Sequence, residues 1–109
     1  MSNQRKHERT DFIQATYCKL TSNGNCQNLN ECYISNISKG GMLIEIPDFG
    51  VNVDDKILII YHLENHLRKD KLIVRHIKKF VDLKCGCEFI EPDPNRDALI
   101  ANVLKKNND

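Results

Sequence analysis

Residues 83–104 read LKCGCEFIEPDPNRDALIANVL, and within them the hydrophobic period changes once. From Leu83 to Ile90 the apolar residues alternate, with Cys85, Cys87 and Phe89 on one face, as in a half-buried strand. Pro92-Asp93-Pro94 ends that pattern. Asp93 is placed to cap a helix whose first residue is Pro94, because the missing N–H of proline costs nothing there. Leu99, Ile100, Val103 and Leu104 then form one apolar stripe at helical spacing. Lys105 and Lys106 suit the negative end of that helix, which is expected over about 94–106.

Working back from this point, every other periodic segment is strand-like. Phe12 to Leu20 mixes apolar and β-branched residues, and Asn23-Gly24-Asn25 is a turn signal. Residues 25–30 read as a loop or hairpin tip, followed by strands over Cys32 to Ile37 and Met42 to Ile46, broken by Ser38-Lys39-Gly40-Gly41. Ile57 to His62 is the clearest apolar run. Residues 64–71 are polar and read as a connection. Leu72 to Phe80 is a fifth strand, with Val74, His76 and Lys78 expected on one face and Ile73, Arg75 and Ile77 on the other. The expected fold is mainly β: about six short strands in an antiparallel barrel or sandwich, then one C-terminal helix. Closure into a barrel removes the exposed edges that an open sheet leaves.

The chain has 109 residues, 40% hydrophobic and 28% charged, which suits one globular domain. No apolar run reaches the ~20 residues that span a bilayer, and the N-terminus lacks an apolar signal region. A cytoplasmic protein without membrane insertion is expected. The net charge is only +1, against a broad polyanion-binding face. The charge is unevenly placed: residues 1–10 hold Arg5, Lys6 and Arg9 against Glu8, and residues 64–84 hold 7 basic groups against 3 acidic ones. A small anion site fits that distribution better than DNA or RNA binding. Single-stranded nucleic acid also demands aromatic platforms, and this chain has 6% aromatic residues and no Trp.

Five cysteines are present, an odd number with no export signal, so reduced thiols are expected. Their spacing matches no standard zinc pattern, and His7, His62, His66 and His76 show no metal spacing. Asp54-Asp55 reads as a solvated turn. No nucleophile–base arrangement, P-loop or dinucleotide fingerprint is visible, so nothing suggests an enzyme, a cofactor or a metal.

Two motifs carry the chemistry. Arg5 and Arg9 lie four residues apart on an arm ahead of the first strand; guanidinium groups bind phosphate in bidentate fashion and stack on flat rings. Asn36 and Ser38 sit at a strand end, with an amide and a hydroxyl able to bond a polar ligand edge. Gly40 and Gly41 follow, and permit positive φ and close backbone approach.

Taken together these motifs resemble the signature of the PilZ-domain family, R-x-x-x-R followed by [D/N]-x-S-x-x-G, with Arg5 and Arg9 matching the first part and Asn36, Ser38 and Gly41 the second. Gly86-Cys87-Glu88-Phe89 also fits the G-x-x-F that often ends the family's last strand. The resemblance implies a six-stranded antiparallel barrel with a C-terminal helix over residues 11–109, a flexible arm over 1–10, and a stand-alone domain. It also implies binding of the bacterial second messenger cyclic di-GMP. Arg5 and Arg9 would hold phosphate and stack on guanine, Asn36 and Ser38 would read guanine's polar edge, and Gly41 would admit the backbone. Arg75, or its neighbour His76, is a possible secondary contact, from a strand that flanks the family's ligand face. The arm would close on ligand and present a new surface to a protein effector, with motility or biofilm control as the output class. Two positions depart from the usual pattern. Gln4 stands where many members have a further Arg, which implies a single bound ligand in place of a stacked pair, or weaker binding. Asn36 stands for the commoner Asp and accepts hydrogen bonds without charge assistance. The alternative is a PilZ-like adaptor that has lost the nucleotide and acts by protein contacts alone.

Overall fold

The computed structural model describes residues 13–47, 50–79 and 81–107. Among these residues six strands, β1 (Ile13–Lys19), β2 (Asn30–Ile37), β3 (Gly41–Ile46), β4 (Lys56–Leu63), β5 (His66–Lys79) and β6 (Leu83–Phe89), precede a C-terminal helix, α1 (Pro94–Asn107). The strands close into a barrel in the order β1-β2-β3-β6-β5-β4, antiparallel throughout. The mainly-β expectation, the six strands and the single C-terminal helix all hold.

The core is the barrel interior. Tyr17, Ile34, Ile44, Ile59, Leu72 and Val74 point inward from five strands and are almost fully buried. Each strand supplies alternate side chains to this interior and the others to the outer wall. Ile100 from α1 joins the same core, with Leu99 and Val103 packed beside it. Leu104 is 38% exposed, so the expected stripe holds at Leu99, Ile100 and Val103 and fails at its last residue. The buried side of α1 extends back to Arg96, a shift toward the start of the helix.

That shift has a polar cause. Asp93 caps α1 as expected: its Oδ1 accepts the backbone N–H groups of Asn95 and Arg96 at 3.0 and 3.2 Å. Arg96, in the first turn, is 3% exposed and donates from Nη1 to Asp70 Oδ1 at 3.1 Å. Its Nη2 donates to the Glu91 carbonyl at 2.8 Å, and its guanidinium lies 3.8 Å from the centre of the Phe89 ring. Asp70 also accepts from the Tyr61 hydroxyl at 2.6 Å and from Arg68, which bridges on to Asp93. A buried ionic cluster, not apolar contact alone, therefore locks the helix onto β5.

The same cluster explains why residues 64–71 do not form the expected connection. Only Glu64 and Asn65 turn, both with positive φ (52° and 65°), so Leu63 pairs directly with His66 in a two-residue hairpin. Residues 66–71 continue as strand, with Leu67, Lys69 and Lys71 exposed and Asp70 buried. The inward positions carry Arg68 and Asp70 where apolar residues would announce a strand, so the alternation is present but not hydrophobic.

The expectation of reduced thiols throughout is also corrected. Cys18 and Cys26 form a disulfide, with Cα atoms 5.6 Å apart. The turn at Thr21–Gly24, where Gly24 has φ 81°, doubles the chain back so that Cys26 bridges to Leu20. Cys32, Cys85 and Cys87 are free and buried. Burial pushes the Cys85 thiol up to about 11 and those of Cys32 and Cys87 up to about 12.

Candidate functional site

Two strands of the barrel break the alternation that governs the rest. In β2, Ile34 pairs with Ile44 and Asn36 with Leu43, leaving Ser35 as an extra residue. In β5, Val74 pairs with Cys87 and His76 with Gly86, leaving Arg75 extra. Each is a β-bulge, and a bulge re-aims the side chains beyond it. In β2 it returns Ile37 to the core and turns Asn36 outward; Ser38, one residue past the strand, is exposed too. Ser35 stays tied to the ladder, donating from its hydroxyl to the Leu43 carbonyl at 3.2 Å. In β5 the bulge exposes both Arg75 and His76 while Val74 is buried and Ile77 half-buried. The two expected faces therefore hold only as far as the bulge: beyond it His76 and Lys78 lie on the outer face, away from Val74, and Ile77 turns inward, away from Ile73 and Arg75.

Between the bulged strands lie β3 and β6, and each carries a glycine at one outward position. Gly41 on β3 pairs with Glu88, and Gly86 on β6 pairs with Leu43. With no side chain at either glycine, the outer wall sinks between the raised residues of β2 and β5. The result is an open cleft of about 370 Å³ outside the barrel, lined by Asn36, Ser38, Gly41, Arg75, His76 and Glu88 among others.

The local reasons for these residues are visible. Ser38 N–H donates to the Gly41 carbonyl at 2.9 Å, and its hydroxyl reaches the same oxygen at 3.4 Å, closing the β2–β3 turn. Gly40 and Gly41 do not use positive φ, contrary to one expectation. Gly41 is needed for close approach instead: a Cβ there would run into the backbone carbonyl of Cys87 and lie 3.1 Å from Glu88 Cα. Gly40 has open space around it. Arg75 donates from Nε to Glu88 at 2.7 Å across the cleft mouth, with both side chains about half exposed (53% and 54%).

The structure thus brings Asn36, Ser38, Gly41 and Arg75 to one cleft. Arg5 and Arg9 lie outside the described residues. His76 shares the cleft with Arg75, its fellow candidate for a secondary contact; Gly86 and Glu88 were not singled out as site residues by sequence. A signal for the bulges exists all the same. Ile34-Ser35-Asn36-Ile37 and Val74-Arg75-His76-Ile77 each place two polar residues between two apolar ones, a spacing no regular strand gives. Among the described residues no cluster of His, Cys, Asp and Glu is arranged to hold a metal ion. No helix among them is long and apolar enough to cross a membrane.

An amide, a hydroxyl, a guanidinium and open backbone thus line one cleft on the outside of a closed antiparallel barrel. The family model of the PilZ domain matches residues 3–106, and the chain belongs to that family. A search of curated proteins found no match.

Proposed function

We propose that the protein is a bacterial cyclic di-GMP receptor that passes its signal to a protein partner. The observation that carries this reading is the convergence of Asn36, Ser38 and Gly41, far from Arg75 in sequence, on one cleft in a PilZ domain. Asn36 and Ser38 supply neutral hydrogen bonds suited to a guanine edge, and Arg75 supplies a cation suited to phosphate. In this reading residues 1–10 act as an arm that brings Arg5 and Arg9 to the ligand's phosphates and guanines, and arm closure is the conformational signal. The role is binding and adaptation in the cytoplasm, not catalysis, with motility or biofilm control as the class of output.

A second reading is favoured by one contact. Glu88 already occupies Arg75, and a carboxylate at the cleft mouth repels an anion. A domain built this way, with Gln4 and Asn36 as well, acts as a nucleotide-free adaptor. Calorimetric titration of the full chain with cyclic di-GMP separates the two. Saturable heat that disappears in both Arg9→Ala and Ser38→Ala supports the receptor. No heat at about 50 µM ligand leaves the adaptor.

A further inference from the structure

We propose that the outer face of the β4–β5 hairpin is the docking site for an acidic amphipathic helix of a protein partner. This rests on the reading that the domain acts through protein contacts, and it names the surface and the chemistry of that contact. Ile57, Ile59, Tyr61 and Leu63 of β4 fill the barrel, so the residues between them face outward. In the middle of the face, Leu58 lies opposite Lys71 and Ile60 opposite Lys69. At its ends the order reverses: Lys56 lies opposite Ile73, and His62 opposite Leu67. Each cross-strand pair therefore joins one aliphatic to one basic side chain. None of these residues lines the cleft.

The aliphatic members form one stepped line, from Ile73 on β5 through Leu58 and Ile60 on β4 and back to Leu67 on β5. Four rows about 6.8 Å apart make the line about 20 Å long, the length of a helix of about four turns. Basic residues flank it on both sides. Those flanking residues are exposed, and so is Leu67, whereas Leu58, Ile60 and Ile73 are half-buried between them. Among the described residues no carboxylate lies within ion-pair distance of Lys56, Lys69 or Lys71. Even Glu91, which shares a hollow with Lys69 and Lys71, pairs with neither. Elsewhere on the wall such cations are matched, Lys84 by Glu45 at 4.0 Å and Arg75 by Glu88 at 2.7 Å. A helix with leucines along one stripe and carboxylates on either side supplies what this face lacks. An anionic bilayer is the poorer match. Three lysines hold one only at about the millimolar level, the aliphatic residues are mostly recessed, and no Trp or Tyr anchor stands among them.

The probe is a synthetic helical peptide of about 16 residues, with leucines on one face flanked by glutamates. One analogue has Gln for every Glu, and another has Ser for every Leu. Binding to the full chain is read by calorimetry and by amide shifts in NMR. Docking predicts saturable binding at about 10–100 µM, the weak class of transient interface, with shifts centred on residues 56–62 and 67–73. Either analogue, or the double variant Lys69→Glu/Lys71→Glu, weakens binding at least about 10-fold, and Leu67→Ser about 3- to 10-fold. Thermal melts check that each variant keeps its barrel, and the peptide analogues test the proposal on wild type alone. No peptide binding, or equal binding by the charge-reversed variant, overturns the proposal. A Ser analogue that binds as well as its parent overturns the aliphatic line. Binding to phosphatidylserine vesicles without peptide binding gives the face to a membrane and overturns it. Self-association that the double variant abolishes, again without peptide binding, gives the face to a second copy and overturns it. Cyclic di-GMP is titrated in parallel, and Lys69→Glu/Lys71→Glu should bind it as wild type does. Nucleotide heat without peptide binding overturns the docking site and leaves the receptor standing. Peptide binding without nucleotide heat supports the docking site and overturns the receptor.

Discussion

Arg96 in the first turn of α1 reaches Asp70 on β5 at 3.1 Å, and both side chains are 4% exposed. Neither is at the cleft. Their pairing fixes where the helix sits against the barrel. Asp70 is the hub, because Tyr61, Arg68 and Arg96 all donate to it.

Removing the hub strands a buried cation. Asp70→Ala is expected to lower stability by about 3–5 kcal/mol, the usual cost of breaking a buried pair from one side. Arg96→Ala is expected to cost less, since Asp70 keeps Arg68 and Tyr61. Urea unfolding measures both; an Asp70→Ala protein within about 1 kcal/mol of wild type contradicts the role given to the cluster.

The same cluster sets the acid limit. Burial raises the Asp70 pKa, but the hydrogen bonds from Arg68, Tyr61 and Arg96 outweigh it and hold the carboxyl below its ordinary value. Arg68, with the backbone amides of α1, likewise lowers Asp93. A carboxyl lowered in the folded state contributes stability that is present above its unfolded value, about 3.9, and is lost as pH falls through the folded value. The urea midpoint should therefore fall in acid below about pH 4 from this cause. Asp70→Asn should flatten the fall, and an unchanged acid slope in that variant argues against Asp70 as its source.

Gly41 and Gly40 are neighbours with opposite tolerances. Gly41→Ala drives a methyl into the β6 backbone, which has no rotamer to move, and is expected to destabilise by about 1–3 kcal/mol. Gly40→Ala meets nothing within 4 Å and should stay within about 0.5 kcal/mol. Paired thermal or urea melts check the contrast. Equal effects at the two positions would show that turn conformation, not strand approach, decides both.

The thiols should divide three and two. Native protein at pH 7.5 should not react with a thiol reagent at Cys32, Cys85 or Cys87, because each is buried and its pKa raised by desolvation. Unfolding without reductant should release those three, and reduction should bring the count to the five in the sequence. Cys26→Ser opens a cross-link spanning a separation of 8 residues and is expected to cost about 2 kcal/mol. Five reactive thiols in unreduced, unfolded protein would show that the Cys18–Cys26 bond does not form.

Much of the fold is legible in the sequence because it is written in local patterns. Period-two runs such as Ile57 to His62 and the Pro92-Asp93-Pro94 switch need only neighbours a few residues away. That Asn36, Ser38 and Gly41 lie close together was legible for the same reason, through their short spacing in the chain. Where a strand hides its pattern, as at Arg68 and Asp70, the inward residues are charged, and only Tyr61 and Arg96 make them acceptable inside.

By itself, then, the sequence determined a six-stranded β domain with one capped helix and a short run of polar residues and glycines at the β2–β3 turn. It did not determine which side of the barrel those residues face. That was decided by two bulges, at Ser35 and Arg75, and by the absence of side chains at Gly41 and Gly86 between them. A bulge is a mismatch between two strands, so it exists only once they pair. A single extra residue in the ladder moves Asn36 and His76 from the core side to the cleft, and no property of either residue alone carries that information.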